Sequence, residues 1–329
     1  MYRKIMGFLE AWKESEHRKP LILQGARQVG KTYSILEFGR THYENVAYFN
    51  FETNPKLNET FEENISPDYL IPILSHIAGQ TIVTEKTLIV FDEVQLCERA
   101  LTSLKYFCEN APDYHIIVAG SLLGVAVNRA KFSFPVGKVD MKTLYPMDME
   151  EFMLALGEDD LVEQIKKCFQ TDTPLPSALH DAAMQLYRQY LVVGGMPECV
   201  MQFAETKDYI LVRHTQDTIL ASYLNDMSKY NNLNEIKKTR LAYDNITVQL
   251  SKKNTRFQYK LIKKGGRASE FENAIEWLCL SGIVSQVYKV EQIKKPLENY
   301  RDIDAFKIYV SDLGLLCAKK DLAANDILY

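Results

Sequence analysis

Four residues near the amino terminus, Gly25, Gly30, Lys31 and Thr32, have the spacing G-x-x-x-x-G-K-[ST]. They lie between a short apolar run and a helical pattern. A loop of this kind is typical of a phosphate-binding site, because backbone N–H groups and the positive end of a helix hold negative charge. Glycine is expected where the main chain curls tightly. The alternative is an ordinary glycine-containing turn from strand to helix.

The residue types of this loop predict how a nucleoside triphosphate would be held. Lys31 would reach the β- and γ-phosphates, and the Thr32 hydroxyl would supply one oxygen ligand to a magnesium ion that keeps most of its waters. The sequence contains no N-K-x-D, the usual guanine-reading motif of small GTPases, so ATP is the expected nucleotide. The residues expected to contact it are Gly25, Ala26, Arg27, Gln28, Val29, Gly30, Lys31, Thr32 and Tyr33.

A second motif, residues 87–94, is an apolar run that ends in two adjacent carboxylates, Asp92 and Glu93. An apolar run without alternation suits a strand buried on both faces of a parallel sheet, whose carboxyl end faces the ligand. Asp92 would there hold magnesium through water, and Glu93 would orient and deprotonate the attacking water as the catalytic base. The alternative is a solvated strand end.

A third apolar run, residues 114–121, ends in Gly120 and Ser121. Ser121 is a candidate catalytic residue that would hydrogen-bond the γ-phosphate or the attacking water, and it also suits the N-cap of a following helix. Arg129 and Lys138 are candidates for a positive charge that senses the γ-phosphate or acts on a neighbouring subunit. Their alternative is to be solvated surface cations.

Strands alternate with helical patterns through the first part of the chain, and a fifth strand is expected at residues 139–144. This order predicts an α/β fold, the doubly wound parallel sheet of a P-loop NTPase, over residues 1–146. Residues 147–232 are predominantly helical and are expected to form a lid or linker region. Within them, Gly194 and Gly195 predict a tight turn between helices, with direct ligand contact as the alternative.

Residues 233–329 are expected to contain a winged-helix-like domain followed by the start of a C-terminal domain. Residues 229–310 hold 16 Lys plus Arg against 9 Asp plus Glu, so this segment is basic although the whole chain has a net charge of −4. In a DNA-binding version, a helix at residues 268–281 would enter the major groove. The cations available for DNA phosphates are Lys260, Lys263, Lys264 and Arg267.

That helix also carries Glu270, Glu272 and Glu276, which a phosphate backbone would repel. A packing or protein-interaction module is therefore the alternative to DNA contact.

Composition restricts the class of protein. With 47% hydrophobic and 25% charged residues and no apolar run of membrane-spanning length, the chain is expected to be soluble, cytoplasmic and without a membrane partner. Its six cysteines are scattered and never form C-x-x-C. Reduced thiols are thus expected, and no metal site is predicted beyond magnesium.

These motifs resemble those of the prokaryotic AAA-like ATPases of the AAA+ superfamily. In that family a nucleotide domain is followed by a helical and winged region and then by a domain of unknown function. The resemblance implies ATP binding and hydrolysis, with Lys31, Thr32, Asp92 and Glu93 in the roles given above. It covers nearly the whole chain and is carried by residues 20–32, 88–95, 119–124, 134–138, 194–197 and 308–315.

One departure from the family concerns the C-terminus. Members usually continue beyond the segment at 308–315 into a region resembling restriction-type nucleases. This chain is therefore expected to be a fragment or a shortened member, without any nuclease activity that such a region would carry.

Two functional hypotheses follow from the sequence. The first is a magnesium-dependent ATPase that couples hydrolysis to a conformational change on a protein or DNA partner, with a homo-oligomer supplying any missing charge. The second is a nucleotide-gated DNA- or protein-binding module with negligible turnover. Glu93 favours the first, since binding alone needs no base, whereas the lack of a clear arginine finger favours the second. A small-molecule kinase is less favoured, because no acceptor-binding lid is recognisable.

Overall fold

The computed structural model of the protein describes residues 1–120, 134–229, 233–252 and 256–329. The chain divides into two compact units, Tyr2–Tyr145 and Pro146–Tyr329, and Met1 is grouped with the second. None of the helices in these described ranges combines the length and the apolar composition needed to cross a bilayer.

The first unit is built on a five-stranded sheet in the order β2-β3-β4-β1-β5. All neighbouring strands are parallel, and the fifth strand pairs with β1 at the edge of the sheet. The predicted parallel α/β sheet, including its fifth strand, is confirmed. The strands are β1 (Leu21–Gln24), β2 (Asn45–Asn50), β3 (Thr87–Asp92), β4 (His115–Ala119) and β5 (Asp140–Thr143).

Helices connect the first four strands in chain order, as parallel pairing requires. The first, α1, precedes β1, and the second, α2, starts directly at the end of the glycine-rich loop. A short 3-10 helix, Val94–Leu96, follows β3. The α-helices that the structure describes in this unit are α1 (Ile5–Lys13), α2 (Lys31–His42), α3 (Leu57–Glu63), α4 (Pro67–Ala78) and α5 (Glu98–Asn110).

The strands are held by an apolar core on which the β2 and β3 aromatic side chains converge. Phe91 lies 6.0 Å from Phe49, 5.9 Å from Phe51 and 5.5 Å from Phe61, measured between ring centroids. All four rings are at most 2% exposed. Burying such rings favours folding strongly, because each removes a large apolar area from water. This core fixes the ends of β2 and β3, where polar residues follow.

The second unit begins with five helices. Asp148 caps the first of them by accepting a hydrogen bond from the Glu151 backbone N–H, while the Glu151 side chain accepts one from the Asp148 backbone N–H. This reciprocal capping box satisfies two N–H groups that a helix start would otherwise leave unpaired. The helices are α6 (Met149–Ala155), α7 (Asp159–Gln170), α8 (Ser177–Val193), α9 (Pro197–Thr206) and α10 (Tyr209–Lys229).

The turn between α8 and α9 packs closely against the segment that precedes the helix at 313–319. The Gly195 backbone N–H donates to Asp312 Oδ2 over 2.6 Å. A Cβ atom on Gly195 would lie 1.9 Å from the Met147 carbonyl oxygen, and one on Gly194 would lie 2.3 Å from Asp312 Oδ1. Close packing within this unit therefore accounts for both glycines.

In its described residues, the rest of the second unit contains two longer helices, a β-hairpin, two short α-helices and two 3-10 helices. Residues 284–290 and 301–310 form an antiparallel pair with an irregularity after Tyr288. This order of helices and hairpin agrees with the expected pattern, but assignment as a winged helix stays a prediction. The elements are α11 (Leu233–Ser251), a 3-10 helix (Tyr259–Leu261), α12 (Ala268–Leu280), β6 (Val284–Val290), a second 3-10 helix (Leu297–Tyr300), β7 (Arg301–Val310), α13 (Leu313–Lys319) and α14 (Asn325–Leu328).

Candidate functional site

The glycine-rich loop, residues 25–30, connects the end of β1 to the start of α2. Its backbone has positive φ at three of six residues: 150° at Gly25, 65° at Gln28 and 90° at Gly30. Such a sequence of left-handed residues curls the chain and gathers its N–H groups into a concavity that favours anions. The α2 N-terminus adds the positive end of the helix dipole.

Gly25 has a packing reason as well as a conformational one. A Cβ atom at this position would lie 2.2 Å from the backbone carbonyl oxygen of Leu144. Leu144 follows β5, and its N–H donates to the Gln24 carbonyl over 2.8 Å. The start of the loop is thus fixed by the fifth strand, and any larger residue at 25 would displace it.

Lys31 is the first residue of α2, and its side chain returns to the loop. Its amine donates to the carbonyl oxygens of Gly25 over 2.9 Å and of Ala26 over 2.8 Å. Only 7% of Lys31 is exposed. A buried ammonium is retained when it has compensating acceptors, and phosphate oxygens would be stronger acceptors than these carbonyls. The structure therefore places this charge inside the concavity of the loop.

Thr32 and Asp92 come together from separate elements, α2 and the last position of β3. The Thr32 hydroxyl donates to Asp92 Oδ2 over 2.9 Å. The other oxygen, Asp92 Oδ1, accepts from the backbone N–H of Glu93 over 2.9 Å. Asp92 is 5% exposed, so its carboxylate is held at the closed end of the site. The two residues predicted to serve magnesium are thus direct neighbours.

Glu93 leaves the sheet immediately after Asp92 with a φ of 51°, a left-handed conformation that is uncommon for a residue other than glycine. This turn directs its side chain away from the line of the strand. The Gln95 side-chain amide donates to the Glu93 carboxylate. Strained backbone of this kind concentrates at functional sites, and here it sets the direction of the predicted base.

Tyr48 and Asn50, at the end of β2, were not among the residues singled out from the sequence. The Tyr48 hydroxyl donates to Asp92 Oδ2 over 2.7 Å, and the Asn50 amide donates to the Tyr48 hydroxyl oxygen over 3.2 Å. Burial, supported by the nearby Asp92, raises the pKa of Tyr48 to about 12, so the hydroxyl remains a donor. Pairing β2 with β3 from the sequence would have indicated them, because it places Asn50 opposite Asp92 and Tyr48 two residues earlier on the same strand.

Arg3 was also missed. It precedes α1, is 4% exposed, and donates from Nη1 to the Val29 carbonyl over 2.9 Å and from Nη2 to the Tyr145 carbonyl over 2.8 Å. Val29 belongs to the phosphate loop. A residue near the amino terminus therefore holds a backbone carbonyl group of that loop.

Three other residues were predicted to act at this site: Ser121, Arg129 and Lys138. Ser121 and Arg129 lie outside the described residues. Lys138 precedes β5, at the amino edge, and its amine is 3.0 Å from a Glu109 carboxylate oxygen. About five residues of extended chain, roughly 16 Å, separate Lys138 from the level of the loop, which rules out contact with a phosphate bound there by the same chain.

The basic segment of the second unit presents carboxylates beside its cations. Lys263 pairs with Glu270 over 3.2 Å. Glu272, Glu276 and Asp304 line a cavity of about 390 Å³ between α12 and the β6–β7 hairpin. A phosphate backbone at this face would meet three negative charges.

The sequence was compared with families of known proteins. Residues 17–153 match a family described as an AAA domain, and residues 184–326 match one described as "Domain of unknown function (DUF8612)". Comparison with curated proteins gave no match.

The structure was compared with solved structures. It resembles a Walker-type ATPase of Pyrococcus abyssi at a TM-score of 0.59 and 13% identity, covering 97% of this chain and 95% of that one. The Aeropyrum pernix ORC2 protein, a complex with ADPNP and ADP, gives a TM-score of 0.48 at 11% identity, covering 99% and 94%. RuvB of Thermotoga maritima gives 0.37 at 14% identity, covering 93% and 90%. The first likeness establishes a shared fold.

Proposed function

The chain contains an AAA domain with the P-loop ATPase fold, followed by a domain of unknown function, and we propose that it binds ATP with magnesium and hydrolyses it. The observation that carries this proposal is the meeting of Thr32 with Asp92 over 2.9 Å beside the buried amine of Lys31. Residues predicted for one chemistry from two separate motifs, the glycine-rich loop and the carboxylate pair, thus meet at one edge of the sheet. The match to an AAA domain supports nucleotide binding, and the residues of the site support hydrolysis.

The residues at this edge fit a magnesium ion. Thr32 Oγ1 and Asp92 Oδ2 are neighbouring oxygen donors, and oxygen is the ligand type that this hard cation requires. Among the described residues there is no group of three His, Cys, Asp or Glu side chains that could enclose a metal. Magnesium in a nucleotide site is usually held by one or two protein oxygens together with water and phosphate. When bound, magnesium would neutralise charge on the β- and γ-phosphates.

We propose a separate role for each residue of the site. Loop N–H groups and the α2 N-terminus bind the phosphates, and Lys31 exchanges its carbonyl acceptors for phosphate oxygens. Glu93 orients the attacking water and takes its proton on a carboxylate oxygen, while Gln95 orients that carboxylate. Ser121 follows β4, which lies between β1 and β3, so its expected hydrogen bond to the γ-phosphate or water remains part of the proposal.

The test is ATP hydrolysis and ATP binding by the purified protein beside Lys31→Ala and Glu93→Gln. We expect Lys31→Ala to lose ATP binding, because the charge at the loop is gone. Glu93→Gln should keep binding and lose turnover by at least about a hundredfold, the usual contribution of a general base. Turnover that persists in Glu93→Gln would refute the assigned base. Tight ATP binding with no turnover in wild type would leave a nucleotide-gated module.

The same assay at several protein concentrations tests whether a neighbouring subunit supplies a catalytic charge. Specific activity that rises with concentration would support a homo-oligomer, and Lys138 is available for such a role only on another molecule. A constant specific activity would contradict it.

A DNA partner is the less favoured proposal for the second unit. The cavity between α12 and the hairpin carries Glu272, Glu276 and Asp304, and Lys263 is already paired with Glu270. We therefore propose that this unit serves packing or protein contact. A nucleotide-dependent gel shift that is abolished by Lys260→Glu would overturn this view, whereas no shift with or without ATP is expected.

A further inference from the structure

We propose that Tyr48 is a positioning residue whose hydroxyl holds the Asp92 carboxylate and thereby sets the affinity of the site for magnesium. This inference rests on the proposed function, since it concerns the same site. Tyr48 lies on β2 and belongs neither to the glycine-rich loop nor to the carboxylate motif.

Strand register brings Tyr48 to the site. In the parallel pairing of β2 with β3, Tyr48 is opposite Val90 and Asn50 is opposite Asp92. Residues two apart on a strand share one face, so Tyr48 and Asn50 lie on the face that also carries Asp92. The tyrosine side chain is long enough to reach diagonally to the next position of the neighbouring strand. Its hydroxyl meets Asp92 Oδ2 at 2.7 Å.

The Asp92 carboxylate is oriented by three donors from three parts of the unit. Oδ2 accepts from Thr32 over 2.9 Å and from Tyr48 over 2.7 Å, and Oδ1 accepts from the Glu93 backbone N–H over 2.9 Å. Thr32 and Glu93 have other tasks in the proposed reaction. Tyr48 is the donor whose removal changes the orientation of Asp92 without removing a proposed ligand or base.

A second hydrogen-bonded layer fixes the tyrosine hydroxyl itself. The Asn50 side-chain amide donates to the Tyr48 oxygen over 3.2 Å, which directs the hydroxyl proton to Asp92. Asn50 Oδ1 in turn accepts from the backbone N–H groups of Glu52 and Thr53, each over 2.9 Å. Outer residues that orient a metal-binding carboxylate in this way affect metal affinity strongly, commonly by 10- to 100-fold when removed.

Tyr48 is 38% exposed, so water can replace part of the lost hydrogen bond in Tyr48→Phe. We therefore expect the low end of that range, about a tenfold loss of magnesium affinity. The phenyl ring keeps the apolar packing, so the fold should be retained. ATP binding without magnesium depends on the loop and Lys31, and it should not change.

The experiment follows binding of a fluorescent ATP analogue to wild type, Tyr48→Phe and Tyr43→Phe while Mg²⁺ is titrated, with a parallel series in EDTA. Tyr43→Phe is the matched control, because it removes a hydroxyl that contacts His115 Nδ1 over 2.7 Å in the same unit. We expect Tyr48→Phe to raise the half-saturating Mg²⁺ concentration about tenfold and to keep the affinity in EDTA. Tyr43→Phe should match wild type in both.

The alternative outcomes are distinguishable. Equal Mg²⁺ dependence in Tyr48→Phe and wild type would overturn the role of Tyr48, while loss of binding in Lys31→Ala would still support the proposed function. An equal loss of affinity with and without Mg²⁺ would indicate general damage to the site and would also overturn it. Wild-type binding that is insensitive to both Mg²⁺ and Lys31→Ala would overturn the proposed function, and the role of Tyr48 with it.

Discussion

Replacing Arg3 with methionine tests whether the start of the chain supports the phosphate loop. Arg3 is 4% exposed, and its guanidinium donates to the carbonyl oxygens of Val29 and Tyr145. Methionine keeps an unbranched apolar stem and removes both donors. The buried Val29 carbonyl oxygen would then lose a hydrogen bond that water cannot easily restore, and the partly buried Tyr145 carbonyl oxygen would lose another.

The expected size of the effect follows from those two bonds. Hydrogen bonds from a charged donor contribute about 1.5–3 kcal/mol each, and removing the guanidinium also removes its own desolvation cost. We therefore expect the free energy of unfolding of the first unit to fall by about 3 kcal/mol. With a typical urea m-value of about 2 kcal/mol per M, the unfolding midpoint would fall by roughly 1.5 M.

ATP affinity should fall as well, because the Val29 carbonyl is part of the loop. In a trans peptide the C=O and the next N–H point in opposite directions, so holding the Val29 oxygen also directs the Gly30 N–H. Losing one charge-assisted bond from that N–H to a phosphate would weaken binding by about 10- to 100-fold.

The assay is urea denaturation together with ATP titration, with Arg18→Met as the control. Arg18 is partly exposed, donates to the Lys13 carbonyl over 2.8 Å and lies 5.9 Å from the Trp12 ring. Its removal should cost less than about 1 kcal/mol and leave ATP affinity unchanged. Equal destabilisation by the two substitutions, or unchanged ATP affinity in Arg3→Met, would refute this reasoning.

Three further predictions concern other parts of the chain. Gly195→Ala should prevent stable folding of the second unit, because its Cβ would lie 1.9 Å from the Met147 carbonyl oxygen; native-like thermal unfolding of this variant would contradict that. Burial raises the pKa of Asp312 to about 6, so its contribution to stability is present at low pH and lost as pH rises through 6. The stability difference between wild type and Asp312→Asn, from urea denaturation, should therefore fall by about 1 kcal/mol between pH 5 and pH 7, and a pH-independent difference would be inconsistent with this. Lys138→Met should leave the ATP dissociation constant unchanged, because Lys138 pairs with Glu109 at the amino edge of the sheet; a weaker affinity would place that charge near the phosphates.

The sequence predicted the sheet well because its strands are strongly apolar and their ends carry recognisable residues. The run at residues 87–94 gave both the buried strand β3 and the position of Asp92 at its end. The glycine spacing gave the loop between β1 and α2. These features are local, so a short stretch of chain contains the whole signal.

Features that depend on distant parts of the chain were not predictable in this way. Tyr48 meets Asp92 across 44 residues, and Arg3 meets Tyr145 across 142. Nothing in the local pattern distinguishes Tyr48 from a tyrosine that packs on a sheet. For Lys138, nearness in sequence to the nucleotide motifs suggested a charge that acts at the phosphates. Strand direction places Lys138 before the amino end of β5, so the proposed role that remains is the one on a neighbouring molecule.

The hydrogen bond from Gly195 to Asp312 spans 117 residues, and this separation has a consequence for how the protein is made. The ribosome synthesises residue 195 well before residue 312. The Gly195 N–H therefore cannot form its hydrogen bond to Asp312 until that later segment has been made. The buried carboxylate and the helix that it caps can stabilise the second unit only after residues 312–319 have emerged. Contacts of such long range slow folding, whereas the first unit, whose last strand ends at Thr143, is able to fold during translation.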